Sequence, residues 1–81
     1  MEMSGPGRAR LMWRCRRGMK ELDELLVDFL DRKYDAISSA RREAFHRMLE
    51  MEDPDLYACL LGQAQAPSVE LQDVIDLIRE R

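Results

Sequence analysis

The clearest pattern in the chain is a set of apolar residues that recur every three or four positions between residues 19 and 30. These residues are Met19, Leu22, Leu25, Leu26, Phe29 and Leu30. Their spacing matches the 3.6-residue period of an amphipathic helix, and it predicts the strongest helix of the chain. Acidic residues lie in the first turns, and Arg32 and Lys33 lie near the end. This is the charge order that a helix dipole favours.

A shorter helix is predicted just before it, over residues 8–16. The residues that share its apolar side are Leu11, Met12 and Cys15. Gly18 follows this helix at a C′ position, where a left-handed backbone costs a glycine little. We expect residues 1–7, which precede the first helical pattern, to be flexible.

Three further helices are predicted downstream of a connector at residues 34–37. Ser38 or Ser39 can cap the third helix, and Asp53 is predicted to cap the fourth, with Pro54 at its first helical position and Gly62 after its end. Ser68 is predicted to cap the fifth. The expected inward faces are Ala40, Ala44, Phe45, Met48 and Leu49 in the third helix, Leu56 and Leu60 with Tyr57 or Cys59 in the fourth, and Val69, Val74, Ile75, Leu77 and Ile78 in the fifth.

No segment alternates with a period of two, so no strand is predicted. The sequence therefore predicts an all-α fold, a compact bundle of five short helices in one domain of residues 1–81. The composition, 46% hydrophobic and 36% charged, is too apolar for a disordered chain and too charged for a membrane protein.

Charge is distributed unevenly along the chain. Residues 1–20 carry six basic side chains and one acidic, whereas residues 21–81 carry seven basic and fifteen acidic. A basic segment of this kind indicates either a polar docking surface or pairing with acidic groups of the same chain. Trp13 among arginines also allows an alternative, a nucleic-acid-binding protein in which the indole stacks on a base. The net charge of −3 argues against that alternative.

The residues that most often carry catalysis or bind metal are sparse. Cys15 and Cys59 lie far apart and form no CxxC motif, which favours free thiols in a reducing compartment. His46 is the only histidine, so no metal site is expected. A small enzyme that pairs a cysteine with His46 would need a contact across the fold. No cofactor-binding or catalytic motif is present, and no catalytic residue is predicted.

The segment Arg17-Gly18-Met19-Lys20-Glu21 permits two interpretations. In the first, Gly18 separates two helices and the flanking charges interact with the helix dipoles. In the second, the glycine leaves room for the backbone of a partner protein, while Arg17 offers donors and Glu21 offers acceptors beside it. The residues alone leave both interpretations open.

These residues belong to a longer resemblance. The stretch RARLMWRCRRGMKELDELLVDFLDRKYD resembles the start of the SdhE/YgfY family of flavinylation factors, which is related to the mitochondrial succinate dehydrogenase assembly factor. The family motif Arg-Gly-x-x-Glu falls on Arg17, Gly18 and Glu21. The resemblance continues through the Tyr34-Asp35 pair, EDPDLYACLLG and VIDLIR, and covers roughly residues 8–79.

The resemblance implies a specific function. Members of the family are small helical assembly factors, not enzymes, and they promote covalent attachment of FAD to a histidine of the flavoprotein subunit of succinate dehydrogenase, and of fumarate reductase where present. It implies that no FAD is held tightly by the factor itself. The implied partner-binding residues are Arg17, Gly18 and Glu21, with Trp13, Arg14 and Met19 as flanking contacts.

Two further expectations concern the setting in which the protein acts. The amino-terminal residues show neither a secretory signal nor a transit peptide, so the expected location is the bacterial cytoplasm, with the mitochondrial matrix, for a processed protein, as the less favoured alternative. Because relatives have also been labelled antitoxin-like, a small nucleic-acid-binding or antitoxin-like regulator is the alternative function.

Overall fold

A computed structural model describes residues 6–80 of the chain. It contains helices α1 (Pro6–Cys15), α2 (Lys20–Arg32), α3 (Ser39–Met48), α4 (Asp53–Leu60) and α5 (Val69–Arg79), and a short 3₁₀ turn at Tyr34–Ala36. No strand occurs in this part of the chain. The predicted all-α bundle of five short helices is therefore confirmed.

The helices pack around one apolar core. Helix α5 lies against α2, α3 and α4, and α2 also contacts α1 and the 3₁₀ turn. The largest side chains that are fully buried are Tyr34, Phe45, Leu22, Leu26, Leu30, Met48, Leu56 and Ile75. The rings of Phe29 and Tyr34 lie 5.1 and 5.6 Å from the ring of Phe45. Such aromatic pairs add stability beyond the apolar area that they bury.

Local sequence signals set several helix ends as predicted. The Ser38 hydroxyl accepts a hydrogen bond from the Arg41 amide, and the Ser68 hydroxyl accepts one from the Leu71 amide. Gly62 follows α4 with φ of +79°, and its amide and the next one bond back to carbonyls of the last turn, which is a Schellman motif.

Several expectations were wrong in detail. Helix α1 begins at Pro6, two residues before the predicted start at residue 8, while residues 1–5 of the segment expected to be flexible lie outside the described residues. Ala40 is exposed, because residues 38–41 at the start of α3 all face solvent. Val69 is 83% exposed, and Leu71 is buried in its place. The apolar face of α5 follows the helical spacing of Leu71, Val74, Ile75 and Ile78, which does not include Val69.

Asp53 does not cap α4. The N-cap residue is Glu52, which makes no side-chain capping hydrogen bond, and Asp53 is the first helical residue. Its carboxylate instead accepts a hydrogen bond from Arg17, at 3.1 Å from the guanidinium Nε. The local capping signal was thus overridden by a contact between distant parts of the chain.

Candidate functional site

The corner between α1 and α2 carries the Arg-Gly-x-x-Glu motif. Gly18 lies in it with φ of +86°, a backbone conformation that strains any residue with a side chain. A Cβ at this position would meet no atom within 4 Å, so the requirement for glycine comes from the backbone and not from crowding. The Asp23 carboxylate accepts hydrogen bonds from the amides of Arg17 and Gly18, at 2.6 and 3.2 Å, and this fixes the corner.

The Arg17 side chain points into the protein and not toward solvent. Only 14% of it is exposed, and each guanidinium nitrogen donates a hydrogen bond within the chain. The acceptors are the carbonyls of Leu49 and Met51, at 2.7–2.9 Å, the Arg14 carbonyl at 3.3 Å and the Asp53 carboxylate. Arg17 therefore ties the α1–α2 corner to the α3–α4 loop and to the start of α4.

Two other arginines of the basic segment are also used internally. Arg8 donates to the Leu30 carbonyl at 2.9 Å and to the Asp35 carboxylate at 3.2 Å. Arg14 donates to the His46 carbonyl at 3.1 Å. Arg10 and Arg16 remain exposed. Because three of the arginines bind the chain's own acceptors, the exposed basic surface is smaller than the sequence suggests, and a nucleic-acid interface is disfavoured.

Glu21 meets Tyr57 of α4 on the outer side of the corner. The Glu21 side chain is exposed, and its Oε1 accepts a short hydrogen bond from the Tyr57 hydroxyl. The hydrogen bond to this carboxylate, together with burial, raises the pKa of Tyr57. Met19 and Lys20 line the same shallow groove as this pair. We call these four residues the corner groove.

The structure separates the six residues expected to bind a partner into two groups. Gly18 and Glu21 are exposed, Met19 is half-buried beside Glu21, and Trp13 is 76% exposed on α1. The side chains of Arg14 and Arg17 instead make hydrogen bonds within the fold. The contact between Tyr57 and Glu21 was not predicted from the sequence, because the two residues lie 36 positions apart and the apolar spacing of α4 gives no sign of it.

The alternative of cysteine–histidine chemistry finds no support in the geometry. His46 Nε2 is 2.7 Å from the Tyr34 hydroxyl, and burial with the nearby Arg14 charge lowers the pKa of His46. Both cysteines are free and buried, as the sequence predicted for these thiols. Burial raises the pKa of the Cys15 thiol to about 11, and it also raises that of Cys59, so neither thiol is activated as a nucleophile.

Across residues 6–80, no three side chains of the metal-binding types come together as a potential ion site. None of the helices in this range has the length and apolar character needed to cross a membrane.

Known proteins resemble this chain over nearly its whole length. Residues 9–81 match the family described as "Flavinator of succinate dehydrogenase". The chain is 40% identical over 74 residues to the FAD assembly factor SdhE of Yersinia pseudotuberculosis, which covers 91% of this chain and 84% of that protein. It is 42% identical over 74 residues to the FAD assembly factor SdhE of Colwellia psychrerythraea, covering 91% and 81%. The corresponding protein of Pectobacterium atrosepticum is 38% identical over 74 residues, covering 91% and 84%. These matches confirm the resemblance drawn from the motifs, and the chain belongs to the family of succinate dehydrogenase flavinators.

Proposed function

We propose that this chain is an assembly factor that binds the flavoprotein subunit of succinate dehydrogenase and promotes covalent attachment of FAD to a histidine of that subunit. The observation that carries the proposal is the family match over residues 9–81. The relatives named FAD assembly factor, similar to this chain across 91% of its length, support it. In this function the chain is not an enzyme, since the bond forms between two other molecules.

The proposed docking surface is the corner groove together with the exposed side of the α1–α2 corner. Gly18 and Met19 offer an open backbone and an apolar side chain, Glu21 offers a carboxylate, and Trp13 offers an exposed indole on α1. Exposed aromatic residues are typical anchors of protein interfaces. Arg14 and Arg17 contribute indirectly, because their hydrogen bonds hold the backbone that presents these groups.

The proposed mechanism is positioning. The factor binds the flavoprotein subunit before its iron–sulfur partner does, and holds its domains so that the flavin methyl carbon and the acceptor histidine stay aligned. Orientation of reacting groups lowers barriers by up to roughly 7–11 kcal/mol in favourable model systems. The factor needs no catalytic side chain of its own in this mechanism.

We further propose that the chain holds no FAD tightly. A groove along α2 is lined by four carboxylates, those of Asp23, Glu24, Asp28 and Asp31, against one cation, Arg16, and this net negative charge disfavours the pyrophosphate of a dinucleotide. The flavoprotein subunit of fumarate reductase is proposed as a second client, and the bacterial cytoplasm as the location, in line with the bacterial origin of the relatives.

The experiment that tests the function is complementation of a bacterium that lacks its own FAD assembly factor. Covalent flavin on the succinate dehydrogenase flavoprotein subunit is read by fluorescence in a denaturing gel. We expect the chain to restore this fluorescence. A folded, expressed chain that leaves the flavoprotein subunit without covalent flavin would show that the proposed function is wrong.

Two variants test the docking surface in the same strain. Glu21→Ala should reduce covalent flavin and weaken binding of the purified flavoprotein subunit, with little change in melting temperature, because Glu21 is exposed. Glu24→Ala is the matched control, because it removes an exposed carboxylate from the same helix outside the corner groove. Equal effects of the two changes would argue against Glu21 as a docking residue.

A further inference from the structure

Tyr57 lies on α4, yet its hydroxyl reaches the glutamate of the family motif on α2. The two residues are 36 positions apart, and their hydrogen bond joins the start of α2 to the middle of α4. Tyr57 donates to Oε1 of Glu21, and no ion pair or second hydrogen bond engages Glu21 among residues 6–80. The other carboxylate oxygen, Oε2, is thus available to a donor from outside.

The position of Tyr57 is itself fixed by the motif arginine. Arg17 binds the carbonyls of Leu49 and Met51 and the carboxylate of Asp53, which together lead into the first residue of α4. The half-buried Tyr57 ring lies one turn further along that helix and packs against the core. The arginine and the glutamate of one short motif are thereby connected through α4, and the hydroxyl of Tyr57 is the last link.

We propose that Tyr57 is a positioning residue for partner recognition, which orients the Glu21 carboxylate toward an N–H donor on the flavoprotein subunit. This inference rests on the proposed function. An exposed glutamate samples many side-chain rotamers, and a partner must immobilise it on binding. The Tyr57 hydroxyl already binds one oxygen of Glu21, so part of the entropy that a partner would have to remove is lost before binding. Because the hydroxyl is neutral, the negative charge of Glu21 stays in place for a cationic or amide donor. An apolar side chain in the place of Tyr57 would not hold the carboxylate, and a lysine there would form an ion pair that neutralises its charge.

The test is a double-mutant cycle on affinity for the purified flavoprotein subunit, measured by calorimetry. The variants are Tyr57→Phe, Glu21→Ala and the double variant. Tyr57→Phe keeps the ring and removes only the hydroxyl, so we expect a melting temperature close to that of the unmodified chain and a roughly 3- to 10-fold loss of affinity. In the Glu21→Ala background the same change should have no further effect, because the hydroxyl then has no carboxylate to orient.

Tyr34→Phe provides a matched control. It removes the same hydroxyl group from the only other tyrosine, whose side chain is buried and whose partner is the half-buried His46. We expect it to lower the melting temperature and to leave the affinity nearly unchanged, which is the opposite of the result expected for Tyr57→Phe.

Three outcomes would overturn the inference. Unchanged affinity of Tyr57→Phe would show that the hydroxyl has no part in docking. Additive losses in the double variant would show that Tyr57 contacts the partner by itself and does not act through Glu21. A fall in melting temperature without loss of affinity would make the hydrogen bond purely structural. Because the unmodified chain is measured for binding and for flavin attachment in the same series, failure of the proposed function itself would be recognised separately.

Discussion

Replacement of Arg17 by methionine should strongly destabilise the protein, whereas loss of a residue that only binds a partner would leave the stability of the fold nearly unchanged. Methionine keeps a long side chain but removes every donor that Arg17 directs to the α3–α4 loop. The carbonyls of Leu49 and Met51 lose their charge-assisted hydrogen bonds, and Asp53 loses its cationic partner. The loss of stability arises because Leu49 is buried and its carbonyl accepts none of the backbone hydrogen bonds described outside the helices. Without Arg17 this carbonyl would be left without a donor.

The magnitude follows from these contacts. A hydrogen bond to a charged group stabilises a protein by about 1.5 kcal/mol at the lower end of its range. The ion pair adds little, at most ~0.5 kcal/mol, because 41% of the Asp53 side chain is exposed and solvent screens the attraction. The loss for the two carbonyls and the ion pair is therefore about 3 kcal/mol, which in a domain of this size lowers the melting temperature by roughly 12–24 °C.

Thermal unfolding followed by circular dichroism measures this effect. Arg16→Met is the matched control, since Arg16 is the neighbouring arginine and its side chain is exposed; its effect should stay within about 0.5 kcal/mol. Arg17→Lys should fall between the two, because an ammonium group cannot bond both carbonyls and Asp53 as the planar guanidinium does. If Arg17→Met melted like the control and lost only its affinity for the flavoprotein subunit, Arg17 would be a direct docking group and its internal hydrogen bonds would contribute little to stability.

Two further predictions concern the backbone of the corner and the half-buried His46. Gly18→Arg should lower the free energy of unfolding by roughly 1–2 kcal/mol through left-handed backbone strain, and Gly18→Asn by less, since asparagine tolerates this region; equal stability of both variants and the unmodified chain in urea would contradict the backbone argument. The pKa of His46 is lowered in the folded state, so the unfolded chain takes up the proton first as the pH falls below 6.5. The stability that neutral His46 contributes is thus present above this pH and is lost as the pH falls through the folded-state pKa. The free energy of unfolding of the unmodified chain should fall more between pH 7.5 and pH 5 than that of His46→Gln, and parallel curves would exclude the effect.

Much of the fold could be predicted because short-range rules determine it. Helix periodicity, serine caps and glycines after helix ends act within a few residues, and Ser38, Ser68 and Gly62 perform the roles that their local sequence indicates. Errors occurred where a local rule competes with packing. Asp53 followed by proline is a good capping signal, but the attraction of a distant guanidinium determined where its carboxylate points.

The position of the Arg-Gly-x-x-Glu motif in the fold could be predicted from the sequence, but the directions of its charged side chains could not. The motif marked the α1–α2 corner, and a glycine between two helices is readily recognised in a sequence. The directions of the Arg17 and Glu21 side chains depend on hydrogen-bonding partners 32–36 positions away, an acceptor carbonyl at Leu49 for Arg17 and a donor hydroxyl at Tyr57 for Glu21. No spacing rule covers such distances. For the same reason the sequence could not show whether the basic segment binds a partner or acceptors of its own chain. In the structure, Arg8, Arg14 and Arg17 all donate hydrogen bonds to carbonyls of the same chain.

A division of roles within five residues follows from these directions. Arg17 stabilises the packing of the α1–α2 corner on the α3–α4 loop, and Gly18 provides the left-handed turn between α1 and α2. Glu21 faces outward, and one of its oxygens accepts a hydrogen bond from Tyr57. Loss of flavin attachment alone cannot distinguish these roles, because an unstable factor and a factor that cannot dock both fail in the assay. Stability and affinity measured on the same variants do distinguish these roles. Loss of Arg17, which donates into the fold, should lower mainly the stability, and loss of Glu21, which faces solvent, should lower mainly the affinity. The motif thus forms a folded corner in which Arg17 and Gly18 hold the backbone in place and the Glu21 carboxylate is exposed to solvent.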